Sequence, residues 1–192
     1  MLALLLSPLM EVLVSKAQSA FIKKRNIHHN FLYVKNMPTR LHKNKTPSLL
    51  FNLNIRKAFE SMRWDYILDL LQHRGFPSRF RNWVVNIFTS SSSRVILNGV
   101  AGPLILHGRS LRQEDPLSPP LFDIDIDPLQ QILDFATSHC LLHKVRGRGA
   151  ILRTPLYADD TMVVVAPIKS DIQNLATTLS KFGEVTGLCT NF

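Results

Sequence analysis

The sequence predicts an α+β protein with an antiparallel element at its centre. Three observations carry that class. A short apolar run at 48–55 is too brief for a helix, two β-rich runs at 150–156 and 161–165 are joined by a tight tip, and the stretches between them repeat their apolar residues at helical spacing. The resulting order is helix, strand, helices, hairpin, helix, hairpin, helix, with no internal repeat.

Taken from the start, Leu9, Val12 and Leu13 fall at helical spacing and predict an amphipathic helix over Pro8 to Lys16. The stretch from Met1 to Val14 lacks a basic flank and is broken by Ser7-Pro8 and Glu11, so it reads neither as a signal peptide nor as a membrane span. Phe21 to Lys45 carries Lys23, Lys24, Arg25, Lys35, Arg40, Lys43 and Lys45 among apolar residues. That pattern predicts a helix with a basic face, either a solvated flank or a surface for phosphates. Leu49 to Ile55 is a buried strand. Trp64, Ile67, Leu68 and Leu71 mark an amphipathic helix over Arg63 to Arg74, stopped by Gly75. Pro77 opens another, Phe80 to Phe88, which the serines at 90–93 end. Arg94 to Leu97, the Asn98-Gly99 turn and Pro103 to His107 form a hairpin, because Asn-Gly supplies the positive φ angles of a tight turn. Beyond a charged, proline-rich loop, helical periodicity returns over Leu121 to Ala136 and again over Ser170 to Phe182. Asp123, Asp125 and Asp127 alternate within the first of these stretches and would form a row of carboxylates on a strand.

Composition narrows the function classes. A 45% hydrophobic content is enough for a core and excludes a disordered tail. The excess of 23 Lys+Arg over 14 Asp+Glu, a net +9, suits a surface that meets phosphates or an anionic membrane. No run approaches the roughly 18 consecutive apolar residues of a membrane helix, so no membrane partner is expected. Cys140 and Cys189 stand far apart without a CxxC companion, which argues against a zinc site or a disulfide framework. A reducing intracellular compartment, cytoplasm or nucleus, is expected.

The sharpest chemical signal is Tyr157-Ala158-Asp159-Asp160 between two apolar strands. Adjacent carboxylates at a hairpin tip repel each other and suit a site where a cation sits, Mg²⁺ above all. Read alone, the same residues also make an ordinary acidic turn.

Their neighbours in sequence add context. FNLNIRKAFE at 51–60, LRQEDPLSP at 111–119 and YADD at 157–160 resemble motifs A, B and C of reverse transcriptases, and QSAFIKKRNIHHN at 18–30 resembles the fingers motif QSAF-x-KGR-x-I-x-DN. With RGFP at 74–77, LNG at 97–99 and FGEVTGLCTNF at 182–192, the chain resembles the reverse transcriptase of a plant-type non-LTR (LINE) retrotransposon from about Gln18 onward. The resemblance implies a right-handed polymerase palm whose antiparallel sheet carries helices on one face, and a motif B helix that splits Asp123, Asp125 and Asp127 across its faces, so that they are expected on its surface or at its cap rather than around a metal. Residues 1–47 would be part of the fingers and 48–192 the palm, with no thumb, endonuclease or ribonuclease H segment expected. It implies two Mg²⁺ ions in an in-line phosphoryl transfer, with Asp159 the principal motif C ligand and Asp160 its weaker partner. Phe59 would be the steric gate against a ribose 2′-hydroxyl, Gln113 would lie beside the incoming nucleotide, and Lys23 and Arg25 would meet triphosphate or template phosphates. The implied partners are an RNA template, a DNA primer and dNTPs, with Arg146, Arg148 and Arg153 adding to a salt-sensitive basic surface.

The chain departs from the family pattern at telling places. Asn54 stands where LDISKAFDS has aspartate, and an amide offers one neutral oxygen in place of a bridging carboxylate. Glu114 and Ser110 replace glycines of RQGDP and GRG, Lys24 replaces the glycine of KGR, and His29 replaces the aspartate of DN. These changes predict a degenerate copy that polymerises poorly or not at all. Three readings stand: a polymerase by family, a nucleic-acid-binding fragment without turnover, and an unselected relic.

Overall fold

The computed structural model describes residues 1–145, 154–158 and 160–191. Its centre is an antiparallel sheet in the order β6-β7-β1-β8, where β1 is Leu49–Ile55, β6 Leu156–Tyr157, β7 Asp160–Val165 and β8 Thr190–Asn191. Strands β1 and β7 pair from Leu49 opposite Val165 to Asn54 opposite Asp160. Side chains alternate along a strand, so this register puts Leu53 and Ile55 with Val163 and Val165 on one face and Asn52 and Asn54 with Asp160 and Met162 on the other.

The apolar face is covered by helices α5 (Trp64–His73), α7 (Ser118–Ser138) and α8 (Lys169–Thr186), with α6 (Ser78–Thr89) packed on α5. Ile67, Leu71, Val84, Phe122, Ile124, Leu129, Leu175 and Leu179 form one core with the sheet residues, as helical spacing and the α+β class lead one to expect. Helix α3 (Ile27–Lys43) adds a smaller layer over one end of the other face, where Met37 and Leu41 bury Val164. It begins later than the basic run, because the Asn26 side chain accepts the His28 N–H at 2.8 Å and caps it there.

The N-terminal segment is helical sooner than its spacing predicts, as α1 (Leu2–Leu6), a 3₁₀ turn at Ser7–Leu9 and α2 (Met10–Leu13), and it buries Leu6 and Met10 in the core. The Asn98-Gly99 hairpin forms with both turn residues at positive φ, pairing β3 (Ile96–Leu97) with β4 (Val100–Ala101) and, lower down, β2 (Ser92–Ser93) with β5 (Ile105–Leu106). Its apolar side chains, Ile96, Leu97 and Val100 among them, are exposed. Of the strand expected at 150–156, residues 150–153 lie outside the described residues, Thr154 and Pro155 are not in a strand, and only Leu156 joins β6.

One expectation is overturned inside α7. Asp123, Asp125 and Asp127 are not on the helix surface but fully buried, because every residue from Leu121 to Asp127 lies within the core, where α5 and α8 pack on α7 and Ser15 of the N-terminal segment reaches Asp127. Of the three, only Asp127 is hydrogen-bonded through its side chain among the described residues. Its carboxylate accepts from Arg74 Nη2 and Ser15 N, each at 2.7 Å, and from Gln131 Nε2 at 3.0 Å. Asp123 and Asp125 have no hydrogen-bond partner among those residues.

Candidate active site

The open face of the sheet carries the polar residues that the pleat turns away from the core. Asn54 and Asp160 are cross-strand neighbours on β1 and β7, both exposed, and β8 flanks Asn54 on its other side through the Asn54–Asn191 pair. A cleft of about 480 Å³ runs between this face and α3, lined by His28, Phe31, Val34, Asn52, Asp160 and Met162. Asn30 ties α3 to the hairpin by donating from Nδ2 to the Leu156 carbonyl at 2.9 Å. Asp159, the expected principal metal ligand, lies outside the described residues, as do Arg146, Arg148 and Arg153.

The loop around Gln113 is bonded to the turn that follows β1. Leu111 N donates to Phe59 O at 2.7 Å, Ser110 N to Met62 O at 3.0 Å, and Gln113 Nε2 to Glu60 Oε1 at 2.6 Å. Phe59, on the short helix α4 (Ala58–Ser61), stacks on Phe122 of α7 with ring centroids 4.8 Å apart. The segments resembling motifs A and B therefore meet on one side of the sheet, and Asp115 steadies the entry to α7 by accepting the Leu117 N–H at 2.8 Å.

Lys23 and Arg25 are not brought into the cleft that Asp160 lines. Lys23 faces the N-terminal helices beside Leu4, Pro8 and Glu11. The Arg25 guanidinium turns onto backbone carbonyls, donating from Nη1 to Ser15 and Gln18 and from Nη2 to Val14 at 2.8 Å. A second cleft of about 560 Å³, sharing Asn30 with the first, gathers Lys16, Lys24, Arg25 and His29 around Glu11, with Lys24 paired to Glu11 at 3.0 Å. Residues that sequence reading did not single out as site members, His28, Phe31 and Met162, line the first cleft. Their signal was absent because a lone aromatic or histidine on an amphipathic helix looks like core or surface until the helix is docked.

Whether a divalent cation fits depends on the donor set. Asp160 and the Asn54 carbonyl oxygen offer one charged and one neutral hard ligand from neighbouring strands. That set suits a single Mg²⁺ completed by water and phosphate oxygens, and it falls short of bridging two ions. The described residues contain no group of three or more His, Cys, Asp or Glu side chains placed to hold a metal.

Comparison with known proteins agrees with this architecture. A family model described as reverse transcriptase (RNA-dependent DNA polymerase) matches residues 1–192. The Pol polyprotein of a type-1 retrotransposable element R2 from Nasonia vitripennis is 31% identical over 121 residues, covering 63% of this chain. That of the type-2 element R2DM from Drosophila melanogaster is 28% identical over 150 residues, covering 78%. The chain spans only 11% and 14% of the lengths of those two relatives. Among solved structures, telomerase from Candida tropicalis in complex with the TWJ fragment of telomeric RNA superposes with a TM-score of 0.68 at 11% identity, over 99% of this chain and 32% of that one. Telomerase from Candida albicans, in a complex with the same kind of fragment, gives 0.65 at 14% identity over 99% and 33%. At such identities the likeness speaks for the fold alone. With the family model spanning the whole chain and non-LTR retrotransposon polyproteins as its relatives, the chain belongs to the reverse transcriptase (RNA-dependent DNA polymerase) family, as a partial domain of the non-LTR kind.

Proposed function

We propose that this chain is the fingers-and-palm portion of an RNA-directed DNA polymerase, residues 1–47 belonging to the fingers and 48–192 to the palm, in a copy whose catalytic centre is damaged. The observation that carries the proposal is the Asn54–Asp160 pair, set side by side on the exposed face at the position where the family pattern has two carboxylates. Template, primer and dNTP are the partners this reading requires, and the basic pocket beside the cleft supports a nucleic-acid surface. The plant-type assignment rests on the motifs quoted from the sequence.

In this reading Asp159 and Asp160 would hold Mg²⁺, and Asn54 would offer one neutral oxygen in place of a carboxylate. The ion, when bound, neutralises the triphosphate and acidifies the primer 3′-hydroxyl. The chain's own residues do the rest. Phe59, backed by Phe122, presents a wall against a 2′-hydroxyl, and Gln113, tethered to Glu60, borders the nucleotide. Glu114 places a negative charge in the loop that should approach the triphosphate, which weakens substrate binding.

Primer extension on an RNA template with Mg²⁺ tests the proposal. Asn54→Asp should raise the rate by about 10² to 10³, since one preorganised electrostatic partner is worth that much. Adding Glu114→Gly should lower KM and raise kcat further. Robust extension by the unmodified chain, at a rate matching that of the double variant, would refute the damage. A second reading, binding without turnover, draws on the basic pocket and gains if none of the three extends a primer while all still bind RNA.

A further inference from the structure

Gln18 and the β6–β7 tip are 140 positions apart in sequence and touch in space. The Gln18 side chain is wholly buried, and its Oε1 accepts three backbone N–H groups: Ser19 and Ala20 at 2.9 Å and Ala158 at 3.2 Å. Three donors converging on one atom mark it as the carbonyl oxygen. The backbone around it is docked along the hairpin. Gln18 forms a parallel bridge with Leu156, Leu156 N donates to Ala17 O at 2.9 Å, and Ser19 N donates to Leu156 O at 3.2 Å. From the other side Arg25 holds the Ser15 and Gln18 carbonyls.

Two forces act to open the tip that Gln18 grips. Ala158 sits at φ +50°, a left-handed conformation that residues with a Cβ seldom adopt. Asp159 and Asp160, adjacent in sequence, repel each other when charged. Gln18 is also a poor choice for the core alone, since its buried Nε2 has no acceptor among the described residues. A methionine would fill the same space without an orphaned donor, so the carboxamide is accounted for by what its oxygen does.

We propose that Gln18 is a positioning residue for the catalytic tip: its carboxamide oxygen fixes the Ala158 N–H, and with it the backbone that carries the carboxylates of Asp159 and Asp160. The proposal rests on reading that tip as the metal-binding end of the site, and the contact itself is open to measurement without any activity.

The test is residue-resolved amide hydrogen exchange by NMR on the whole chain, followed by Mn²⁺ titration read as broadening of the Asp160 amide. In the unmodified chain the Ala158 amide should be protected, although hairpin tips normally exchange freely. Gln18→Met, close in size and without an acceptor, should speed that amide about tenfold or more while the β1–β7 ladder keeps its protection. Gln18→Glu, which retains the accepting oxygen, should restore it. The Mn²⁺ concentration for half-broadening should rise about tenfold in Gln18→Met, as for other groups that orient a metal ligand. A freely exchanging Ala158 in the unmodified chain, or one indifferent to Gln18→Met, overturns the proposal. Loss of protection along the whole ladder in that variant overturns it too, since Gln18 would then be an ordinary core residue. A protected, Gln18-dependent Ala158 without Mn²⁺ broadening in any variant would support the contact and overturn the metal reading of the tip.

Discussion

Glu114 and Ser110 adopt φ angles of +66° and +91°, the half of conformational space that a Cβ makes costly and glycine enters freely. Both stand where the family pattern has glycine. The structure thus keeps a backbone shaped for glycine and forces side chains onto it, at a cost of about 1–3 kcal/mol per residue. Ser110→Gly and Glu114→Gly should each raise stability by about 1 kcal/mol once glycine's greater unfolded-state entropy is subtracted. In a chain of this size that corresponds to a Tm higher by about 2–4 °C, measurable by thermal unfolding. Lys24 is the internal control. It too replaces a family glycine, yet it is not among the residues at positive φ, and Lys24→Gly should bring no such gain.

At the scale of elements, the end of α8 decides how the region after β1 is held. Gly187 caps α8 at φ +86°, and a Cβ there would lie 2.1 Å from the Ser61 carbonyl oxygen. The close approach is what lets Arg63 N donate to Thr186 O at 3.1 Å and Arg63 Nη1 reach Glu184 O at 3.1 Å, clamping α8 to the α4–α5 junction. Gly187→Ala should therefore cost about 2–4 kcal/mol, combining backbone strain with steric overlap. Gly75, the stop after α5, has φ +78°, and a Cβ there would meet no atom within 4 Å among the described residues. Gly75→Ala should cost only the conformational part, about 1 kcal/mol. Urea midpoints of the two variants, read side by side, check the difference.

For the whole molecule, two buried carboxylates set a pH dependence. Burial, with Asp127 adding to it and Arg25 opposing it, pushes Asp123 up to about 8, and burial raises Asp125 well above the ordinary range, where it also faces Tyr66. A carboxyl whose folded pKa is raised is more protonated in the native state than in the unfolded chain. Its contribution is complete below the unfolded value near 4 and is lost as pH climbs through the folded one. Between pH 5 and pH 8 stability should fall, by about 1.4 kcal/mol per pH unit for each proton difference. Asp123→Asn should flatten the profile in urea unfolding at the two pH values. The net +9 acts at the same scale. RNA affinity should drop about 10²-fold between about 50 and 200 mM salt if about four phosphates are neutralised. A salt-independent affinity would remove the electrostatic account of the basic pocket.

What the sequence by itself determined is the set of elements and their period. The antiparallel core of β1 and β7, the helices that cover it and the Asn98-Gly99 hairpin were legible because period-two and period-3.6 patterns and turn chemistry act over a few residues. The family motifs likewise foretold that β1 would lie beside the β6–β7 hairpin, and the Asn54–Asp160 pairing shows how closely. What only the tertiary structure decided is where each polar group spends its bonds. Asp123 and Asp125 looked like surface residues, since alternation along a helix says nothing about how many sides that helix will have covered. Arg25 was open between a solvated face and a phosphate contact and turns onto four backbone carbonyls, and Gln18 looked like one letter of a fingers motif and holds a turn at the far end of the chain. Such contacts join segments more than a hundred residues apart or backbone groups that every sequence possesses. Neither leaves a local pattern, and they exist only once the core has brought the segments together.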